Sequence, residues 1–260
     1  MKLEQQTING IEIRIAENTD QASAVTAELI AEQIRQEPRS VLGLATGGTP
    51  METYRRLIQM NQAGNVSFAE VTTFNLDEYI GLSPDHPQSY RAFMNANLFQ
   101  HIDIDLQKTH VPSGIAVDIA SECKSYESKI RSAGGIDLQL LGLGHNGHIA
   151  FNEPGSPGES RTLQVDLTAE TIEKNSRFFE SIDQVPRHAI TMGIATILES
   201  RRIVLLALGE SKADAVARML RGLITSSHPA SELRNHPAVT VVLDRESASK
   251  LGSTELSPKS

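Results

Sequence analysis

A single cysteine, no apolar run longer than six residues and no excess of basic side chains mark this 260-residue chain, and each shortage excludes something. Its 24 Lys and Arg are outnumbered by 32 Asp and Glu, for a formal net charge of −8. Binding to a polynucleotide rests on concentrated positive charge, so no nucleic-acid partner is expected. The longest apolar run, Ile203 to Leu208, falls far short of the about 20 residues that cross a bilayer as a helix. The first ten residues, MKLEQQTING, carry a lysine but no apolar stretch of a signal peptide, so a cytoplasmic protein without a membrane partner is expected. Cys123 keeps helical step with Ile119, Tyr126 and Ile130, which reads as a core face and not as a nucleophile. Repeats, low-complexity tracts and Pro/Ser-rich linkers are also missing. Area scaling gives about 11,000 Å² folded against about 41,000 Å² unfolded, roughly 73% buried, so one substantial core is possible. A single domain over residues 1–245 is expected, followed by a polar, peripheral tail over 246–260.

What is present is an alternation of short β-branched runs and longer amphipathic ones. Ile11, Ile13 and Ile15 alternate with Glu12 and Arg14, and Val25, Leu29, Ile30 and Ile34 then recur at helical spacing between Asp20 and Arg35. The same order returns with strands at 41–45, 71–75, 136–144, 202–209 and 238–244, and with helices from Pro50, near Ser89 to Gln100 and from Ser211 to Leu223. Apolar runs without alternation indicate strands covered on both faces. The expected fold class is α/β, a three-layer, mostly parallel sheet with ligands at the carboxyl ends of its strands.

Four strand ends carry chemistry. After the first comes Thr46-Gly47-Gly48-Thr49-Pro50, with Glu52 at capping-box distance from Thr49. A helix starting there aims its free amides at a glycine turn, which suits phosphate; a plain turn that binds nothing is the alternative. No Walker lysine follows. The second end places Asp77 and Glu78 side by side; either could serve as a general base, or both could be solvated loop acids. The third, Gly142 to Gly147, spells GxGxxG, but Pro154, Pro157, Gly155 and Gly158 oppose the helix that a dinucleotide site needs. His145, His148 and Glu153 make a poor zinc set, lacking cysteine and HExxH, so no metal is expected. A loop in which an imidazole exchanges protons, oriented by Asn146 and Glu153, remains. The fourth end sets Lys212 in the first turn of a helix, where a cation suits the dipole only if an anion is held nearby. Arg177 is a further candidate for gripping phosphate oxygens.

ATGGTPMETY, TTFNLDEYIGL, HPQSYRAFM, GLGHNGHIAFNEPGS, NSRFF and LGESKA stand in the order and approximate spacing of the glucosamine-6-phosphate deaminase family, which the chain resembles over about residues 1 to 245. The resemblance implies a modified Rossmann-like α/β/α sandwich. It also implies conversion of D-glucosamine 6-phosphate and water to D-fructose 6-phosphate and ammonia, with no required metal or organic cofactor. Under it Asp77 is the base that moves the C2 proton towards C1. His148 opens the sugar ring with help from Asn146 and Glu153, Thr46, Gly47, Gly48 and Thr49 form the phosphate loop, and Arg177 and Lys212 are its cationic partners.

The chain departs from the family pattern in two places. Asn146 stands where many members carry Asp. After Ser160-Arg161-Thr162, where allosterically activated members supply an Arg and a Lys, this chain has Leu163-Gln164-Val165-Asp166, so an allosteric phosphate site of that type is not expected. A 6-phosphogluconolactonase and a non-catalytic sugar-phosphate sensor are the alternatives; FNEP at 151–154 and DEY at 77–79 favour the deaminase. Family members range from monomers to hexamers, which leaves homo-oligomerisation open.

Overall fold

The computed structural model describes residues 3–177 and 179–252. Along them run β1 (Glu4–Ile8), β2 (Ile11–Ala16), α1 (Thr19–Gln36), β3 (Val41–Leu44), α2 (Met51–Gln62), β4 (Thr72–Asn75) and β5 (Asp77–Tyr79). Next come α3 (Tyr90–Asn97), β6 (Thr109–His110), α4 (Ile119–Ser132), β7 (Leu138–Gly142), β8 (Leu163–Asp166) and α5 (Ala169–Ser176). Last are β9 (His188–Thr191), α6 (Ile194–Leu198), β10 (Arg202–Ala207), α7 (Ala213–Arg221) and β11 (Val239–Asp244).

Eight strands form one sheet in the order β1-β2-β11-β10-β7-β3-β4-β6. All its neighbours pair in parallel except β1, which forms a hairpin with β2. Asn9 and Gly10 turn that hairpin with φ of 49° and 82°, the left-handed pair that a two-residue turn needs. Along β10, Val204 and Leu206 face one apolar layer and Ile203, Leu205 and Ala207 the other. That is why its sequence is apolar without alternation. Helices α1, α2 and α3 pack on the first face, and α4, α6 and α7 on the second, so the expected three-layer α/β/α sandwich is the fold. Cys123 lies buried on the inward side of α4 with Tyr126 and Ile130.

Growth of the sheet reverses between β3 and β7. From β3 it proceeds to β4 and β6 on one side, and from β7 to β10 and β11 on the other. Ligands in open α/β sheets occupy the crevice at such a reversal.

The sequence indicated one sheet, but the structure has two. β5, β9 and β8 form a separate antiparallel sheet in which Asp77 pairs with Thr191. Leu76 joins the two sheets: its N–H donates to Leu44 O at 3.1 Å and its carbonyl accepts from Met192 N at 2.7 Å. The stretch from Thr73 to Tyr79 is therefore two strands around a joint.

A second difference concerns the tail expected from residue 246. Ser247 and Leu251 are 0% and 2% exposed, and Leu251 belongs to the core. The buried Asp244 carboxylate accepts from Thr19 Oγ1 at 3.0 Å and from the N–H groups of Gly209 and Ser247 at 3.0 and 2.8 Å. Ser247 Oγ in turn donates to Ala207 O at 2.8 Å. These polar residues are polar because they close a turn, and the turn carries Leu251 inward. Residues 253–260 lie outside the described residues. Leu251→Ala should cost about 2 to 5 kcal/mol of folding free energy, read by chemical denaturation; an unchanged midpoint would show the turn to be peripheral after all.

Candidate active site

All four residues of β3 are buried, and the strand delivers Ala45 to the loop Thr46-Gly47-Gly48-Thr49. Gly47 holds φ at +92°, a conformation that glycine adopts without strain. The anticipated capping box does not form. Pro50 takes the N-cap position of α2, no side chain caps the helix, and Glu52 pairs instead with Arg55 and Arg56. The positive end of α2 thus opens onto the loop uncapped by any side chain.

Asp77 and Glu78, equivalent in the sequence, are separated by strand alternation. Asp77 lines a cavity of about 300 Å³, whereas Glu78 turns away and grips the start of α3. Its Oε1 accepts from the N–H groups of Tyr79 and Tyr90 at 2.8 Å each, and Oε2 accepts from Arg91 N at 3.0 Å. Neither is a solvated loop acid. Burial pushes the Asp77 carboxyl up to about 8, the charge of Glu78 pushes the same way, and a hydrogen bond from the Thr46 hydroxyl opposes them. Such a group is a weak acid that can take a proton near neutral pH.

The loop after β7 explains its glycines differently from a nucleotide motif. A methyl carbon on Gly144 would stand 2.4 Å from Nδ1 and Cε1 of His148, and one on Gly147, at φ +89°, would stand 2.2 Å from Nδ1 of His228. Two imidazoles take the space of two side chains. The loop is closed by Gly144 N–H to His148 O at 2.8 Å and Gly147 N–H to Gly144 O at 3.0 Å. Asn146 donates from Nδ2 to Glu153 Oε2 at 2.8 Å, while its Oδ1 accepts from the His148 N–H at 3.1 Å. It therefore positions Glu153 and the loop backbone, and the partner of the imidazole is Glu153, whose Oε1 lies 3.4 Å from His148 Nδ1. Burial raises the Glu153 carboxyl, but His148 and Asn146 together hold it below the usual range, so it stays charged. Asn152 ties the loop to the second sheet through Met192 O at 2.9 Å. Ala150 sits at φ 51°, an uncommon conformation for a residue with a side chain.

The cavity draws on all four strand ends: the 46–49 loop, Asp77, His148 and Lys212 line it together. Lys212 ends a single 3-10 turn and forms the N-cap of α7. Arg177, at the end of α5, lines an adjoining cavity of about 340 Å³ that shares Gly47, Gly48 and Tyr90 with the first. Asn146 and Glu153 stand behind His148. Tyr90 and Phe151 complete the wall, and sequence reasoning missed both. Their rings lie 6.2 Å apart, and Tyr90 and Tyr79 share a 3.3 Å hydroxyl contact. His145, considered only as a metal ligand, also lines the cavity, 3.1 Å from Glu170 of α5. Among the described residues no group of three or more His, Cys, Asp or Glu is arranged to hold a metal ion.

A family model described as glucosamine-6-phosphate isomerases/6-phosphogluconolactonase matches residues 15–243. The chain belongs to this family. A glucosamine-6-phosphate deaminase of Rhodopirellula baltica is 59% identical over 244 residues, spanning 94% of this chain and 97% of its own. The deaminase of Thermoanaerobacter pseudethanolicus is 50% identical over 246 residues, 95% of this chain and 97% of that protein. A solved structure of a monomeric glucosamine-6-phosphate deaminase, described as a missing link of the NagB superfamily, superposes with a TM-score of 0.89 at 50% identity, covering 92% and 99% of the two chains. The 6-phosphogluconolactonase of Trypanosoma brucei shares the fold alone, at 21% identity and a TM-score of 0.74 over 92% and 98% of the chains. The isomerase/lactonase family thus spans two chemistries on one sandwich.

Two predictions follow from packing and charge. Gly144→Ala should leave the fold intact but displace His148, and a misplacement of about 1 Å should lower kcat on the order of 10²-fold; unchanged turnover would show that the ring position is immaterial. Asp77→Asn should stabilise the protein in a pH-dependent way. Below the ordinary aspartate value of 3.8 the carboxyl is neutral in both states. Between 3.8 and about 8 the unfolded chain gives up this proton while the folded chain keeps it, so wild-type stability falls as pH rises, then levels off. The Tm advantage of Asp77→Asn should therefore widen between pH 4 and pH 8, and a constant difference would contradict the burial of this group.

Proposed function

We propose that the chain is a cytoplasmic glucosamine-6-phosphate deaminase of amino-sugar breakdown, acting as one catalytic domain. It converts D-glucosamine 6-phosphate and water to D-fructose 6-phosphate and ammonia. The observation that carries this reading is that one cavity gathers a phosphate-type loop, a cation, a proton-hungry carboxylate and an imidazole backed by a carboxylate. Identities of 50–59% to proteins named for this activity support it over the lactonase.

The Thr46 to Thr49 loop and Lys212 bind the phosphate, and Arg177 reaches it from the adjoining cavity. Ring opening needs a proton moved from the anomeric hydroxyl to the ring oxygen. His148, oriented by Glu153, exchanges it, and Asn146 fixes Glu153 for that purpose. Asp77 then takes the C2 proton from the open-chain aldehyde while a proton from the C2 ammonium passes to the C1 oxygen, which gives an enolamine, and Asp77 returns its proton to C1. The double bond now lies between C2 and nitrogen, water adds there, and ammonia leaves. A carboxyl held near neutrality suits both halves of this transfer, because it must accept and give the same proton. With no cation at Leu163 to Asp166, the reading includes hyperbolic kinetics.

Purified protein should release ammonia from glucosamine 6-phosphate and leave unphosphorylated glucosamine nearly untouched. Asp77→Asn should lower kcat by about 10² to 10⁴. Lys212→Ala should act mainly on KM, with a loss of about 2 to 3 kcal/mol for a charge-assisted contact. Equal use of glucosamine and its 6-phosphate, or sigmoidal kinetics relieved by N-acetylglucosamine 6-phosphate, would overturn the corresponding part.

A further inference from the structure

Glu78 has no part in the reaction just described, yet it is 2% exposed, a costly place for a carboxylate. Both of its oxygens accept amide protons, two at Oε1 and one at Oε2, which favours the ionised form, although burial still holds the carboxyl above the usual glutamate range. Two of those amides begin α3, where Ser89 caps the next one, Ala92 N, at 3.0 Å, so the two side chains share the free donors of the helix start. One of the two amides that Glu78 holds at 2.8 Å belongs to Tyr90, whose ring lines the reaction cavity and whose hydroxyl meets Tyr79 and Thr46. Thr46 is also the hydroxyl that donates to Asp77.

We propose, resting on the deaminase reading, that Glu78 is a positioning residue for the C2 proton transfer. Through α3 it holds Tyr90 against Thr46 and Asp77, and its buried charge keeps the neighbouring carboxylate avid for a proton. Asp77 is faced by Thr46 from the phosphate loop, Tyr54 from α2, Tyr90 from α3, Tyr126 from α4, and His148 and Lys212 around the cavity. Glu78 is the carboxylate among the groups acting on it. Arg91 acts on Glu78 in turn and favours its ionised form, while the guanidinium donates to Thr109 Oγ1 and to the Thr109 carbonyl at 2.7 Å each. The carboxylate beside Asp77 is thus held in place by three amides and a nearby cation.

Glu78→Gln keeps the volume and one acceptor oxygen while removing the charge. The acid limb of its kcat/KM profile for glucosamine 6-phosphate should move to lower pH by about one unit, the usual order for one adjacent charge. The widening of the Asp77→Asn Tm advantage between pH 4 and pH 8 should shrink in the Glu78→Gln background, a measurement that needs no substrate. Ser89→Ala weakens the same helix start without touching the charge and should lower Tm with the acid limb unmoved. If Glu78→Gln does not fold, Glu78→Asp keeps the charge and should retain both the limb and the widening at a lower Tm. The proposal is overturned if limb and widening are unchanged in Glu78→Gln, if Ser89→Ala moves the limb as far, or if Glu78→Asp loses the widening. Failure of wild-type protein to release ammonia would instead remove the deaminase reading and leave the unfolding cycle to judge the coupling.

Discussion

The reversal of sheet growth between β3 and β7 is the constraint on which the rest depends. Strands on either side of that line send their connections away from each other, so the carboxyl ends of two central strands are left without a covering helix. Into that gap β3 delivers the glycine turn and β7 the histidine loop. β4 supplies Asp77 from beyond β3, and β10 supplies Lys212 from beyond β7. Four segments far apart in the chain meet because they end at the same edge.

Burying a carboxylate at the floor of this crevice costs folding free energy, and the surrounding structure accepts that cost in a patterned way. Asp77 has the Thr46 hydroxyl, while Glu78 has three backbone amides. The better satisfied acid supports α3, and the poorly satisfied one faces the cavity, where proton affinity is of use. Beside it the rings of Tyr79, Tyr90 and Phe151 pack against one another, with centroids 4.8 to 6.2 Å apart. Stability is therefore given up at the acid that faces the cavity, which the second sheet holds through its pairing with Thr191.

The histidine loop shows how the same letters can serve another purpose. GxGxxG in a nucleotide fold brings backbone close to a pyrophosphate, whereas here Gly144 and Gly147 admit His148 and His228. His228 also reaches the carbonyl of Ala215 in α7 at 3.1 Å, and Ala230 N–H reaches Gly147 O at 2.9 Å, so the loop is braced from below by a segment some 80 residues downstream. Glycine is needed because ring atoms occupy the position of a Cβ.

Much of this was legible in the sequence, and for definite reasons. Local periodicity determined the central strands and the helices flanking them, since burial on both faces leaves apolar runs and burial on one leaves a stripe. It also marked the four strand ends that line the cavity. The hairpin strand β1 escaped because Glu4 to Thr7 are polar; the Asn9-Gly10 turn was its only trace. β5, β8 and β9 escaped because strands of three or four residues at the rim carry too little pattern. The Ser247 to Leu251 turn read as a polar tail because its polar groups satisfy one another inside the fold. Tertiary structure alone decided which of Asp77 and Glu78 faces the cavity, that Asn146 serves Glu153 and the loop backbone, and that Arg177 stands next door. Adjacent residues share a sequence environment, and only strand direction and the packing of distant segments make their surroundings different.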